Sequence, residues 1–348
     1  MDLITRFSSF NLTKSIERRR HKLHTTLLLK SLEKNIPSRE FLEILLVPDL
    51  VKKAKKFQSR NGYFPASFGV MNSFTPAPKT YKKNFISPII PGNPYSFNEP
   101  SDYYQTYAES WWGITHKKGG WDCMRHLEII DSGALPLMYD AKSIPEGAMF
   151  YYPKDLLRRL YEEFKKNPFI ADEKLLEYFA KWKQEYLTCE ALIRNSLLAA
   201  DINTSQEKIL FIDPALDESP DYLSLMVLYG LERLFPGKVD IFSKSPDYIF
   251  DDYQLNTDSL YGKGFGYTKG IPSILRNVVD ESNCDWNSYS TIFVGQGLRN
   301  IPLIELIPPN LLHEKLVVFE GSDDPIGKVD LNKLLSYSRN LFVREGHR

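Results

Sequence analysis

The sequence has few cysteines, no net charge and no long apolar run. Its 348 residues contain three cysteines, Cys123, Cys189 and Cys284, which are far apart and form no CxxC pair. Such a set builds neither a disulfide framework nor a CxxC metal site. The lack of a disulfide framework fits a reducing compartment. No stretch approaches the roughly 20 apolar residues that cross a bilayer. Because no apolar run near the start precedes a small-residue cleavage site, a cytoplasmic location is predicted.

The balance of charges argues against one class of partner. Lysine plus arginine and aspartate plus glutamate each number 44, so the formal net charge is zero. A chain without overall electrostatic bias is not expected to be a dedicated nucleic-acid-binding protein. Its apolar content of 43% and charged content of 25% are those of a folded globular protein. The length suits two domains of ordinary size.

A basic helical extension is predicted over residues 1–57. Its two clusters of positive charge are Arg18–Arg20 and Lys52–Lys56. A charged helix face is most often simply solvated. The alternative is docking on an acidic surface, such as a membrane or a partner protein, which would place the chain at the membrane periphery.

Beyond residue 57, strands alternate with helices, as in Rossmann-like layered proteins. The first unit is a strand at 111–116, a loop, a helix at 121–132 and a strand at 134–139. Further helices are predicted at 154–166 and 172–199. A second domain begins near residue 206, with apolar strands at 208–212, 239–242, 290–294 and 315–319 and a helix at 221–234. The predicted fold is therefore α/β, with one domain over 58–200 and another over 201–348.

The loop before the helix at 121–132 has the composition of an anion site. Lys117 and Lys118 bring positive charge next to Gly119 and Gly120, which let the backbone come close to a ligand. The free N–H groups of a first helical turn also attract an anion. The combination suits a pyrophosphate.

The helix itself offers two polar candidates. At roughly 100° per residue, Cys123, Leu127 and Ile130 share one face, and Arg125 and Glu128 lie on the opposite one. If the apolar face packs on the sheet, Arg125 can hold a phosphate and Glu128 can accept hydrogen bonds from ribose hydroxyls. The alternative is an ordinary surface ion pair worth about 0.3 kcal/mol.

Other candidates lie outside this helix. His116 is a candidate ligand near the phosphates, whereas His126 leans towards the apolar face as a core histidine. Asp213 follows the strand at 208–212, at the carboxyl end where open α/β sheets bind ligands. It is a candidate general base, with a turn or N-cap aspartate as the alternative. Neither histidine pairs with other ligand residues at metal-binding spacing, so no metal is predicted.

Residues 117–140 resemble the donor half of the exostosin-like and family-1-like glycosyltransferases. The run KKGGWDCMRHLEIIDSGALPLMYD is similar to their pattern KKxGWDCxRHxEIxxxGCxPxF. The resemblance implies the glycosyltransferase B fold of two Rossmann-like domains. It also implies sugar transfer from a nucleotide-sugar donor to a hydroxyl of a glycan or other acceptor, with no metal or other cofactor required. The donor-binding residues that it implies are Lys117, Lys118, Gly119, Gly120, Asp122, Arg125 and Glu128.

Later segments resemble the acceptor half of the same proteins. They are DYL at 221–223, LYGKGF at 260–265 and VFEGSDD at 318–324, and they imply acceptor-side positions for Tyr222, Gly264 and Asp323. In the family the acceptor half comes first, but here it comes last. The final run LFVRE would ordinarily lead towards the segment at Tyr63. The resemblance therefore implies a circularly permuted chain.

Two positions depart from the family pattern. Gly120 stands where many retaining enzymes carry a second glutamate, so the resemblance does not decide whether the anomeric configuration is kept. Ala134 replaces the usual cysteine by another small residue. Two alternatives stay open. One is a non-catalytic descendant that binds glycans or partners. The other is an enzyme with a different nucleotide cofactor, although the chain lacks a strand–GxGxxG–helix fingerprint.

Overall fold

The computed structural model describes residues 49–71, 82–92, 97–167, 172–204 and 208–346. The predicted helical extension therefore lies mostly outside the described residues, including its cluster Arg18–Arg20. The second cluster, Lys52–Lys56, lies on a helix as predicted. None of the helices in the described ranges is both long and apolar enough to cross a bilayer.

The described residues form an α/β structure. Its strands are β1 (Phe64–Pro65), β2 (Asn84–Ile86), β3 (Ser110–Thr115), β4 (Leu135–Met138), β5 (Lys208–Ile212), β6 (Val239–Phe242), β7 (Val278–Val279), β8 (Tyr289–Val294), β9 (Leu316–Glu320) and β10 (Asn340–Val343). Its α-helices are α1 (Leu50–Asn61), α2 (Pro100–Ala108), α3 (Met124–Asp131), α4 (Lys154–Lys166), α5 (Glu173–Tyr186), α6 (Cys189–Ala199), α7 (Tyr222–Leu234), α8 (Ile301–Ile304), α9 (Pro309–Lys315) and α10 (Lys328–Tyr337).

All strand pairs are parallel, and they form two sheets. The larger sheet has seven strands in the order β1-β10-β9-β8-β5-β6-β7, and the smaller has three in the order β2-β3-β4. β9 is buried along its whole length, and β5 at every residue except Lys208. Continuous apolar runs are the sequence signature of such strands, because helices cover both faces of a parallel sheet. The predicted α/β class is confirmed.

The first and last described strands pair with each other. The N–H of Ala66 donates to the Val343 carbonyl at 2.8 Å, and the rings of Phe64 and Phe342 stack with centroids 4.9 Å apart. This pairing places β1 in the larger sheet, together with the strands of residues 208–343. The predicted domain boundary at residue 200 therefore does not separate the two sheets, because β1 precedes it in the sequence but belongs to the larger sheet.

The single helix predicted over 172–199 is wrong, because the structure has two helices there, α5 and α6. Thr188 is the N-cap of α6 and accepts a hydrogen bond from the N–H of Ala191 at 3.1 Å. The N–H of Val70 donates to the Leu187 carbonyl at 2.8 Å, and the N–H of Cys189 donates to the Val70 carbonyl at 3.1 Å. Pairing with this distant segment interrupts the helix.

One apolar cluster connects the two sheets. It includes Trp112 and Leu135 from the smaller sheet and Phe211 and Phe293 from the larger one. Because side chains of both sheets pack in this one cluster, the two sheets share a hydrophobic core.

Candidate functional site

A cleft of about 620 Å³ lies where loops from the carboxyl ends of both sheets meet. Its walls come from the loops after β1, β3, β5, β8, β9 and β10, and from the long connection between β6 and β7. This volume is typical of small-molecule sites, and the carboxyl edge is where parallel sheets bind ligands.

Most of the predicted site residues meet at this cleft. Those that line it are Lys118, Gly119, Gly120, Asp122, Arg125, Tyr222 and Asp323. Those that do not are His116, Lys117, Glu128, Asp213 and Gly264. Residues predicted from the donor-like segment and from the acceptor-like segments thus share one cavity, although about a hundred residues or more separate them in the sequence.

The glycine loop packs directly on the other wall. A Cβ atom on Gly120 would lie 2.5 Å from Glu345 Oε1 and 3.0 Å from Arg344 Nη1, and one on Gly119 would collide with the Asp323 carboxylate. A larger residue at Gly120 would have to displace the buried Glu345 side chain, whereas the 64% exposed Asp323 side chain beside Gly119 can move aside. The helix begins later than predicted, at Met124, so the loop continues through Trp121–Cys123.

The side chain of His126 forms hydrogen bonds with both ends of this loop segment. Its Nε2–H donates to the Trp121 carbonyl at 2.8 Å, which leaves Nδ1 to accept from the Thr115 hydroxyl at 2.7 Å. The ring is buried, and burial lowers the pKa of His126, which favours this neutral form. The prediction of a core histidine is confirmed.

Arg344 is the central cation of the cleft, and the sequence interpretation gave it no role. Its guanidinium is 1% exposed and lies 4.4 Å over the ring of Phe68. It pairs with Asp323 and donates to the Gly321 carbonyl at 3.0 Å and to the Asp122 carbonyl. Arg344 thereby joins the loops after β3, β9 and β10. Its position immediately after a strand is the signal that could have revealed it.

Two buried carboxylates lie beside this guanidinium. Glu345 accepts a hydrogen bond from the N–H of Asp122 at 2.9 Å, and the Asp122 carboxylate accepts one from the N–H of Phe68 at 2.7 Å. Burial raises the pKa of Asp122 and raises the pKa of Glu345 to about 7. The charge of Arg344 opposes both shifts, so the floor of the cleft depends on this cation.

Glu128 is buried and does not face the cleft. Its side chain accepts a hydrogen bond from the Tyr103 hydroxyl at 2.7 Å, and burial raises its pKa. The expectation of an open helix face is wrong, because α2 packs against α3 and covers that side. All residues from Arg125 to Asp131 are buried.

Glu128→Ala should therefore lower the free energy of unfolding by about 1–3 kcal/mol, since a buried tyrosine hydroxyl loses its acceptor. Urea unfolding of both proteins measures this difference. Glu177→Ala, at an exposed position on α5, is the matched control and should change stability by less than about 0.5 kcal/mol. Equal effects of the two changes would contradict the structural role of Glu128.

Asp213 lies at the end of β5 and is fully engaged by neighbouring donors. Arg299 Nε donates to Oδ1 at 2.9 Å and Nη2 to Oδ2 at 2.5 Å. Asn300 Nδ2 donates to Oδ1 at 2.9 Å, and the Ser224 hydroxyl bonds to Oδ2. The carboxylate caps no helix and lies outside the cleft lining. This arrangement suits a structural centre better than the predicted general base.

The remaining predicted residues lie near the cleft without lining it. Lys117 Nζ lies 5.9 Å from the centroid of the Trp121 ring. The His116 ring packs 5.3 Å from that of Tyr139. Gly264 has a left-handed backbone with φ of 72°, but the residue of its loop that lines the cleft is Tyr261.

Asp221 and Gln296 form a part of the wall to which the sequence assigned no function. Asp221 caps α7 by accepting from the N–H of Ser224 at 2.8 Å, and Gln296 Nε2 donates to its other oxygen at 3.3 Å. Gln296 has a left-handed φ of 40°, which is strained for a non-glycine residue. Such strain is concentrated at functional sites. Burial raises the pKa of Asp221.

No protein-family model, curated protein or solved structure matches this chain. The function is therefore inferred from the chemistry of the cleft. Lys118 and Arg125 supply positive charge for an anion, and the cleft carboxylates can accept hydrogen bonds from hydroxyls. Tyr222 and Tyr261, with ring centroids 5.9 Å apart, offer faces for a planar or sugar ring. Within the described ranges, no group of three or more His, Cys, Asp or Glu side chains is arranged to hold a metal ion.

Proposed function

We propose that this protein is a glycosyltransferase that binds a nucleoside-diphosphate sugar in the cleft and transfers the sugar to a hydroxyl of a glycan or other acceptor. The supporting observation is the meeting of the glycine loop Lys118–Gly120 with the loops of the larger sheet in one cavity. An anion-binding loop and a wall that can bind hydroxyls face each other there, as transfer from a charged donor to a polyol requires. The scheme needs no metal or other cofactor.

The strand order supports a permuted glycosyltransferase B fold. Counted from β5, the larger sheet reads 3-2-1-4-5-6-7, with β1 in the seventh position after β10. A doubly wound sheet has this 3-2-1-4-5-6 order in consecutive strands. In an unpermuted chain, the segment that forms β1 would come directly after β10 in the sequence and would be the seventh strand. Under this proposal, the smaller sheet carries the donor half and the larger sheet carries the acceptor half.

The diphosphate of the donor would lie against the glycine loop. Lys118 and Arg125 line this part of the cleft, and the first turn of α3 begins there. When the bond between sugar and phosphate breaks, negative charge grows on the leaving diphosphate. Fixed cations and N–H groups stabilise that charge without reorganising, which is usually the largest single contribution to such catalysis.

The acceptor hydroxyl needs a group that takes its proton. The proposal assigns the role of general base to Asp221 and not to the predicted Asp213. Asp221 lines the cleft, and burial raises the pKa of its carboxylate. A carboxylate with a raised pKa is a better base near neutral pH. Tyr222, Tyr261 and Asp323 also line the cleft.

Lys118→Ala should weaken the binding of a nucleoside diphosphate by about ten- to a hundredfold, because one charge-assisted hydrogen bond is lost. The side chain is exposed and contacts only Tyr261, at 3.4 Å, among the hydrogen bonds of the described residues, so the fold should be unaffected. Isothermal titration of wild type and variant measures the effect. A prior thermal-shift screen of UDP, GDP, CDP and dTDP selects the ligand.

Lys117→Ala is the matched control, because this neighbouring lysine is exposed and does not line the cleft. Its affinity should stay within about twofold of wild type. If both variants bind alike, or no nucleoside diphosphate binds to wild type, the donor site is misplaced.

A non-catalytic descendant is the alternative, and the engagement of Asp213 by Arg299, Asn300 and Ser224 favours it. Slow hydrolysis of the bound nucleotide sugar, abolished by Asp221→Asn, would establish a transferase. Binding without hydrolysis or transfer would establish a binding module. Binding of S-adenosylmethionine or NAD in place of a nucleoside diphosphate would indicate another class of enzyme.

A further inference from the structure

A second cavity, of about 760 Å³, is formed by α1, α4 and α5 with the loop before α4. It shares no lining residue with the cleft. We call it the α1 groove. Its lining includes three cations of α1 and four aromatic side chains, Lys53, Lys56, Arg60, Phe150, Tyr152, Tyr178 and Trp182.

The cations form a line along one side of α1. Lys53, Lys56 and Arg60 are spaced by three and four residues, so they lie on one face of the helix over roughly 10 Å. Arg60 pairs with Glu146 at 2.5 Å. Among the described residues, Lys53 and Lys56 have no ion pair, whereas Lys55 on another face pairs with Asp201 at 2.5 Å. Within the described ranges, the α1 side of the groove therefore carries more positive than negative charge.

Aromatic side chains form another part of the lining, with Tyr178 half-buried and Trp182 only 4% exposed. The rings of Tyr178 and Trp182 have centroids 5.6 Å apart, and Trp182 Nε1–H donates to the Tyr151 carbonyl at 2.8 Å. Lys154 closes the base of the groove, since its ammonium donates to the carbonyls of Pro145, Glu146 and Ala148. Cations together with the half-buried ring of Tyr178 suit a ligand that carries both negative charges and apolar ring surfaces.

We propose that the α1 groove binds an anionic glycan chain, as a saccharide site separate from the donor cleft. A line of cations about two helical turns long fits several successive charges better than one small anion. A flat bilayer could meet the exposed lysines but not the aromatic side chains inside a concave groove. The choice of a glycan over another polyanion rests on the proposed function, in which a glycan is the acceptor.

The chain's own N-terminal residues are a poor occupant by charge. Residues 1–48 contain nine Lys or Arg and five Asp or Glu, a net charge of +4 by subtraction. The groove walls carry five cations, Lys53, Lys56, Arg60, Lys154 and Arg158, against Glu146 and Asp155. Like charge disfavours that pairing, whereas an anionic ligand is complementary.

The test is fluorescence titration of the full chain with a polyuronate hexasaccharide, with a neutral hexasaccharide as reference. The double variant Lys53→Glu/Lys56→Glu should weaken binding of the anionic chain by more than about tenfold, since two cations of the line become anions that repel the ligand. Lys52→Glu, exposed on the same helix but outside the groove, is the control and should stay within about twofold of wild type. Tyr178→Ala should weaken binding as well.

Several results would overturn the proposal. These are no binding of the polyuronate, equal binding by the double variant, or tighter binding of an RNA oligonucleotide or of phosphatidylserine vesicles at physiological salt. Titration of the double variant with a nucleoside diphosphate tests the groove separately from the donor cleft. The double variant should bind the nucleoside diphosphate with the same affinity as wild type. A protein that binds the polyuronate but no nucleoside diphosphate would retain the groove and refute the donor site.

Discussion

Replacing Arg344 by methionine should lower the free energy of unfolding by about 3–5 kcal/mol, as expected when one partner of a buried charge cluster is removed. Methionine fills much of the volume but leaves the buried carboxylates of Asp122 and Glu345 without their cation. The carbonyls of Gly321 and Asp122 also lose a donor. Urea unfolding followed by circular dichroism measures the loss.

Arg339→Met is the control, because Arg339 is exposed. This substitution should lower the free energy of unfolding by less than about 0.5 kcal/mol. Asp323→Asn measures how much of the stabilisation by Arg344 comes from its ion pair with Asp323. The Asp323 side chain is 64% exposed, so its pair with Arg344 should contribute no more than about 1 kcal/mol. A small loss for Arg344→Met would mean that the cleft floor does not depend on this guanidinium.

Asp213→Ala should likewise destabilise the protein by about 3–5 kcal/mol, because the Asp213 carboxylate is fully buried and ion-paired with Arg299. The change removes the acceptor of Arg299, Asn300 and Ser224 at the end of β5. Thermal and urea unfolding should both show it. Asp217→Ala, at an exposed position in the turn that follows, should change stability by less than about 0.5 kcal/mol.

The alternative for Asp213 is testable with the same protein. If Asp213 is a general base and not a structural centre, Asp213→Ala should abolish sugar transfer while leaving the unfolding midpoint unchanged. Loss of stability with no loss of nucleoside diphosphate affinity at low temperature would support the structural role. The affinity should be preserved because Asp213 does not line the cleft.

Features set by neighbouring residues could be predicted from the sequence. The apolar run at 208–212 is β5, and the helix at 154–166 is α4 with the predicted bounds. Gly133 has the left-handed φ of 71° expected of a glycine that ends a helix. The glycine loop at Lys118–Gly120 lines the cleft. Strand runs, helix ends and glycine turns depend on local backbone preferences, which a few adjacent residues determine.

Burial and pairing between distant segments could not be predicted in this way. A helical projection shows which residues share a face, but not that Tyr103 of α2 would cover Glu128. Likewise, the pattern over 172–199 is helical, but hydrogen bonds with Val70 divide it next to the cap at Thr188. Tertiary contacts override local preference where their hydrogen bonds replace those of the helix.

The sequence by itself determined the α/β class, most of the strands and helices, and the chemical character of the loop at residues 117–120. Only the tertiary structure decided that β1 pairs with β10, that Arg344 is the buried cation of the cleft, and that Lys118 faces the cleft while Lys117 does not. The physical reason is that periodicity and turn chemistry act over a few residues. The cleft depends instead on hydrogen bonds and ion pairs between segments more than two hundred residues apart, such as that between Arg344 and the Asp122 carbonyl.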